Sequence, residues 1–161
     1  MMRWVATGVL LASAVGCRSV NGAEEPVIRV EVILSQTTVA HGQPVGVTIR
    51  ITNPSDREVF LEGCQGSFYR VHDAAGRMVY PFPSNGVVGT CLGQAEPLAS
   101  GANTTKRLAW ATHRVSPTET NGVVTFVDPG VYEVRAAVRQ TLATRDAEAT
   151  PQRVTILPPT G

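Results

Sequence analysis

DPGVYEVRAAV, residues 128–138, joins a tight turn to a strand. Asp-Pro-Gly is turn chemistry: proline presets one backbone angle, glycine tolerates a left-handed one, and aspartate bonds to nearby backbone. From Val131 onward apolar and polar residues alternate. Tyr132, Val134, Ala136 and Val138 share one face, and Glu133, Arg135 and Arg139 share the other. A period of two is the mark of a half-buried strand. The spacing Asp128-x-Gly130-x-Tyr132 also has the form of a tyrosine corner, in which the tyrosine hydroxyl bonds back to nearby backbone and pins the strand's start. Asp128, Gly130 and Tyr132 are therefore the expected fold-determining residues. The plainer alternative for Tyr132 is a half-buried core aromatic with no corner.

The same alternation recurs upstream. In VIRVEVIL, Ile28, Val30, Val32 and Leu34 oppose Arg29 and Glu31. In PVGVTIRITN, Val45, Val47, Ile49 and Ile51 oppose Gly46, Thr48, Arg50 and Thr52. Shorter strands are predicted at residues 58–62, 67–73, 77–81, 104–112 and 152–157, separated by AHGQP, NPSDRE, DAAGR and ASGAN turns. Asn53 is placed to brace its turn through its side chain. No segment carries a capped helical stripe. The pattern predicts an all-β, immunoglobulin-like antiparallel β-sandwich of about seven to nine strands. Antibody domains place a core cysteine two residues past the corner tyrosine. Val134 stands there, so their inter-sheet disulfide is not expected.

The N-terminus carries an address. Arg3 precedes an apolar run, WVATGVLLASAVG at residues 4–16, too short for the roughly 20 residues of a spanning helix. It reads as a signal peptide. Ala14-Val15-Gly16-Cys17 resembles the bacterial lipobox, although leucine is usual where Ala14 stands. Cys17 is thus the expected lipid-attachment point; the alternative is ordinary secretion with cleavage near Gly22. The predicted organisation is a signal peptide at 1–16, a tether at 17–26 and a sandwich at 27–161. The localisation expected is a membrane-anchored lipoprotein, facing the periplasm or on the outer membrane in a two-membrane bacterium. Arg18, not Asp, follows the cysteine, which does not favour inner-membrane retention.

With Cys17 assigned to lipid, Cys64 and Cys91 remain as an even pair, and an exported pair is expected to oxidise. The bridge would contribute roughly 3–4 kcal/mol in the chain-entropy model. Two free thiols or a metal pair are the alternatives. A metal site needs more ligands, and His41, His72 and His113 lie on separate segments, so neither metal nor cofactor is expected.

The 161-residue precursor has a net charge of +1, and removing Arg3 with the signal leaves a neutral chain. Its linear sequence holds no basic cluster, which argues against a nucleic-acid partner. Serine-hydrolase, zincin, P-loop and C-x-x-C motifs are absent from the sequence, so no catalytic residue is assigned. Asp73, Asp128 and Asp146 fall in or beside turns. His72 is the best isolated acid–base candidate, but neighbouring Asp73 points to the opposite side of a strand. Phe68, Tyr69, Tyr80 and Phe82 gather at one hairpin, with Phe68 the expected outward member.

VGVTIRITNPSDREVFLEGCQGSFYRVHDAAGRMVYPF, followed by PGVYEVRAAV, resembles the BsuPI family of intracellular proteinase inhibitor domains. The likeness runs through Asn53-Pro54-Ser55, the FYRVHDAAGRMVY hairpin, Trp110 and the Pro-Gly-x-Tyr turn, and covers about residues 40 to 157. It implies a small sandwich and protease inhibition. The export signal and the cysteine pair depart from an intracellular family. The expected function is a non-enzymatic, membrane-tethered module acting by contact with a protein partner. That module is either proteinase-inhibitor-like, through the 81–100 loop, or a structural or adhesion module of the cell envelope.

Overall fold

The computed structural model describes residues 25–62, 68–80, 94–115 and 124–160. Cys17, Cys64, Cys91, Phe82 and the signal peptide lie outside the described residues, as does the 81–93 part of the loop. The strands are β1 (Arg29–Leu34), β2 (Thr38–Val39), β3 (Val45–Thr52), β4 (Val59–Leu61), β5 (Tyr69–His72), β6 (Met78–Tyr80) and β7 (Glu96–Leu98). They continue as β8 (Asn103–Trp110), β9 (His113–Val115), β10 (Val124–Phe126), β11 (Gly130–Val138), β12 (Ala147–Glu148) and β13 (Gln152–Ile156). The surplus over the expected number consists of segments of two or three residues, too short to show alternation.

Two sheets face each other. One has the order β1-β3-β8, and the other β2-β13-β11-β5-β6, with β12 beside β11. The alternation read from the sequence sets their inner faces. Val45, Val47, Ile49 and Ile51 are completely buried, and Val134, Val138 and Val154 meet them from the opposite sheet in one core. Trp110 of β8 stands edge-on to Tyr132 of β11, with ring centroids 5.6 Å apart. All-β layers joined across such a core form the β-sandwich that the alternation predicts.

One pairing is parallel. After β1 the chain leaves its sheet: the Ser35 amide donates to the Gly46 carbonyl at 2.9 Å, and the Ser35 hydroxyl accepts from the Gly46 amide at 2.9 Å. The chain then crosses to the other sheet, and β2 runs alongside β13 in the same direction. This switch covers one open side of the sandwich. On the other side, no strand among the described residues pairs with β8 beyond β3. Lys106 lies opposite buried Ile49 in the β3–β8 register and so shares its inward face. Its Nζ lies 5.5 Å from the Phe68 ring centroid and 2.8 Å from a Glu96 oxygen. Phe68 is thus half-buried and packed against the core, not turned outward.

Turns fix the two ends. At one, the Tyr132 hydroxyl donates to the Asp128 carbonyl at 2.7 Å. Gly130 there has φ 157°, a backbone angle that residues with side chains rarely adopt. At the other end Asn53 is fully buried. Its Nδ2 donates to the carbonyls of Arg57, Leu98 and Ala99 at 2.7–3.1 Å. Its Oδ1 accepts from the amide and hydroxyl of Ser55. One side chain so joins the β3–β4 turn to the β7–β8 turn.

Candidate protein-contact face

The outer face of the six-stranded sheet carries a cluster of charges. Pleating sends Tyr69 and Val71 into the core, which leaves Arg70 and His72 on the outer surface of β5. On β11 the outward residues are Glu133 and Arg135, and on β13 Arg153. Register then decides the neighbours. Glu133 lies opposite Arg153 on one side and His72 on the other, and Arg135 lies directly opposite Arg70.

One carboxylate serves this whole group. Glu133 accepts from Arg135 at 2.7 Å and from Arg153 at 3.4 Å. The Arg135 hydrogen bond, then its charge, and lastly Arg153 hold the Glu133 carboxyl below its usual value against a partial desolvation. Among the described residues no carboxylate pairs with Arg70. Like charges directly opposite on a sheet destabilise it. Arg135 has Glu133, so the uncompensated member of this arginine pair among the described residues is Arg70. Glu148, opposite Ala137 one outward position further along, bounds the patch at that end.

His72 lies beside this group. Its Nδ1 is buried and has no hydrogen-bond partner among the described residues. Burial, then the charges of Arg135 and Arg70, lower its pKa, while Glu133 and Asp73 oppose them weakly. The neighbouring Asp73 does local work: its carboxylate accepts from the Ala75 and Arg77 amides at 2.9 Å and pairs with the Arg77 side chain. His72 and Asp73 thus form no acid–base pair. Asp146 pairs with Arg139.

Elsewhere, Phe126 lies exposed at the tyrosine-corner end between the rings of His41 and His113, at centroid distances of 5.5 and 4.4 Å. A groove of about 280 Å³ at the tyrosine corner is lined by Val79, Val127, Asp128 and Tyr132, among others. Among the described residues no three His, Cys, Asp or Glu side chains gather in a way that could hold a metal ion. Sequence reasoning missed the arginine group because residues 70, 135 and 153 are far apart along the chain. The signal was present only as outward arginines in three separate alternating runs.

No protein-family model matches this chain, and no curated protein matches it. Among solved structures it is similar to a β-glucosidase from Listeria innocua at 13% identity and TM-score 0.46, over 83% of this chain and 16% of that one. It is similar to the CARDB domain of a Pyrococcus furiosus protein, solved in complex with di-metal ions, at 14% identity and TM-score 0.46, over 83% of this chain and 90% of that domain. An alkylpurine DNA glycosylase from Pseudomonas fluorescens, bound to DNA, matches at 10% identity and TM-score 0.44 over 81% of this chain and 30% of its own. None of these likenesses carries a ligand or an activity over to this chain.

Proposed function

We propose that the chain is a non-enzymatic, membrane-tethered β-sandwich module that acts by protein contact, and that its outer arginine face receives an acidic segment of the partner. The observation that carries this reading is Arg70 standing opposite Arg135 with no carboxylate of its own among the described residues. A sheet tolerates such a pair at a cost, and a partner's carboxylates would relieve it. Guanidinium groups suit this role because their planar fork binds carboxylates bidentately. Residues 96–98 of the expected 81–100 loop form β7, so proteinase inhibition through the segment that precedes β7 is one form such contact could take, and envelope adhesion is another; both are compatible with an acidic partner.

The test titrates the full chain with poly-L-glutamate at low and high salt. Arg70→Gln and Arg153→Gln should each weaken binding by about fivefold, the weight of one exposed charge pair. Arg107→Gln, an equal charge change on the opposite sheet, should leave it unaltered. Arg70→Gln should also raise the denaturant midpoint slightly, since it removes the repulsion. Equal weakening by all three variants would show mere net-charge attraction and sink the assignment to this face.

A further inference from the structure

The described chain begins at the end of the sandwich that holds the β11–β12 turn. The Glu25 carboxylate pairs with Arg145 at 2.6 Å, and the Val27 amide donates to the buried Gln140 side chain at 3.0 Å. Gln140 itself bridges to Leu61, and the Phe60 carbonyl accepts the Thr141 amide at 2.8 Å. The N-terminal segment, β4 and the 140–143 turn are therefore fastened together.

Among its charged residues this end also exposes large apolar side chains. Leu142 is 84% exposed. It also has φ 70°, a left-handed conformation that costs a branched side chain energy and suits glycine or asparagine. Beside the turn, exposed Phe60 lies directly opposite exposed Pro97, so the two share a face. A leucine held out in water on a strained backbone gains nothing from the folded chain.

The tether explains its use. Cys17 and Glu25 are eight residue steps apart, a reach of at most about 27 Å when fully extended. Nine-residue β11 runs about 30 Å from this end to the tyrosine corner. A lipid at Cys17 therefore keeps the 140–143 turn near the bilayer and the tyrosine corner farther out. We infer that the body docks on the lipid surface through this end, with Leu142 entering the acyl boundary and Phe60 and Pro97 resting at the interface. An adjoining open depression at the level of the headgroups is lined by Arg29, Arg139 and Arg145 together with Asp146 and Glu148, with Arg139 paired to Asp146 and Arg145 to Glu25, so its charges balance. The inference rests on the tethering reading and adds an orientation to it. The arginine face then stands along the side of the molecule, open to other proteins.

The test uses tryptophan emission. Signal cleavage removes Trp4 and leaves Trp110, which is fully buried, as the native fluorophore. Full-length chains carrying Leu142→Trp, or Leu157→Trp at the opposite end, are produced in a bacterium and purified in mature form. They are then reconstituted into phosphatidylethanolamine–phosphatidylglycerol vesicles with brominated acyl chains. The expected result is that the added emission of the Leu142→Trp variant shifts to the blue and is mostly quenched. The Leu157→Trp variant and the parent protein should show neither change. A Leu142→Trp variant that floats with the vesicles but keeps its emission unquenched overturns the docking and leaves the tether standing. Equal quenching of the two variants overturns the orientation. Protein that does not float overturns tether and docking together.

Discussion

Asn53 and Tyr132 both brace turns through a single side chain, and they differ in how much backbone depends on them. The Tyr132 hydroxyl serves one carbonyl, Asp128. Asn53 serves three carbonyls and accepts two further bonds in a fully buried position. Loss of one hydrogen bond costs about 1 kcal/mol, whereas stranding several buried polar groups costs about 1–3 kcal/mol for each that water cannot reach. Tyr132→Phe should therefore lower stability by about 1 kcal/mol. Asn53→Ala should lower it by about 2–4 kcal/mol, both read from denaturant midpoints at constant slope. An Asn53→Ala loss no larger than that of Tyr132→Phe would show that water replaces the amide. The D-x-G-x-Y spacing announced the tyrosine. The sequence placed Asn53 in a brace for its own turn, but its reach to Leu98 and Ala99 depends on tertiary approach that no local pattern encodes.

At the scale of strands, legibility followed length. β1, β3 and β11 are long enough for alternation to show, and their inner residues are those the alternation picked. β7 is three residues long and contains Pro97, a residue confined to sheet edges because it cannot donate to a ladder. Its pairing with β4 on one side fits that rule, yet nothing in EPL alone announces a strand. The candidate face was illegible for a different reason: register, not composition, sets Arg70 against Arg135. That register has a pH consequence. Burial and two arginines hold His72 below its ordinary value of 6.5. As pH falls through 6.5 the unfolded chain takes up its proton first, so stability declines from there down to the lowered folded value. Chemical denaturation near about pH 7.5 and about pH 5.5 should show the parent weakening on acidification, and His72→Gln weakening less. Identical pH dependence in both proteins would place the titration elsewhere.

For the whole molecule, the connections between the sheets' outer strands matter most. Leu61↔Glu96 closes the described β4–β7 ladder three residues before Cys64 and five after Cys91. A bond between those cysteines would lock the β4–β5 junction to the β6–β7 connection. Non-reducing peptide mapping should recover the Cys64–Cys91 peptide. Reduction should lower stability by roughly 3–4 kcal/mol, the entropy returned to the unfolded loop. Recovery of both thiols free from the oxidised exported protein would disprove the pairing. The expected pair comes from the cysteine count, and the expected tether from the apolar run ending at Cys17. The proposed acidic partner and docked orientation are argued instead from residues that only folding assembles.

On the proposed tether, β8, which has no second neighbour among the described residues, becomes an edge in a crowded plane. Proteins confined to a bilayer diffuse in two dimensions, and neighbouring copies meet edge to edge far more often than in dilute solution. Along β8 such a meeting could start a ladder from copy to copy, ending in a fibre or a plaque. Lys106 stands in the way. A strand laid along that edge, with its side chains continuing the inner layer, would have to bury the ammonium group or pull it from Glu96 and Phe68. On the proposed tether, one lysine turned to the wrong side of a strand would keep crowded copies of this chain as separate molecules.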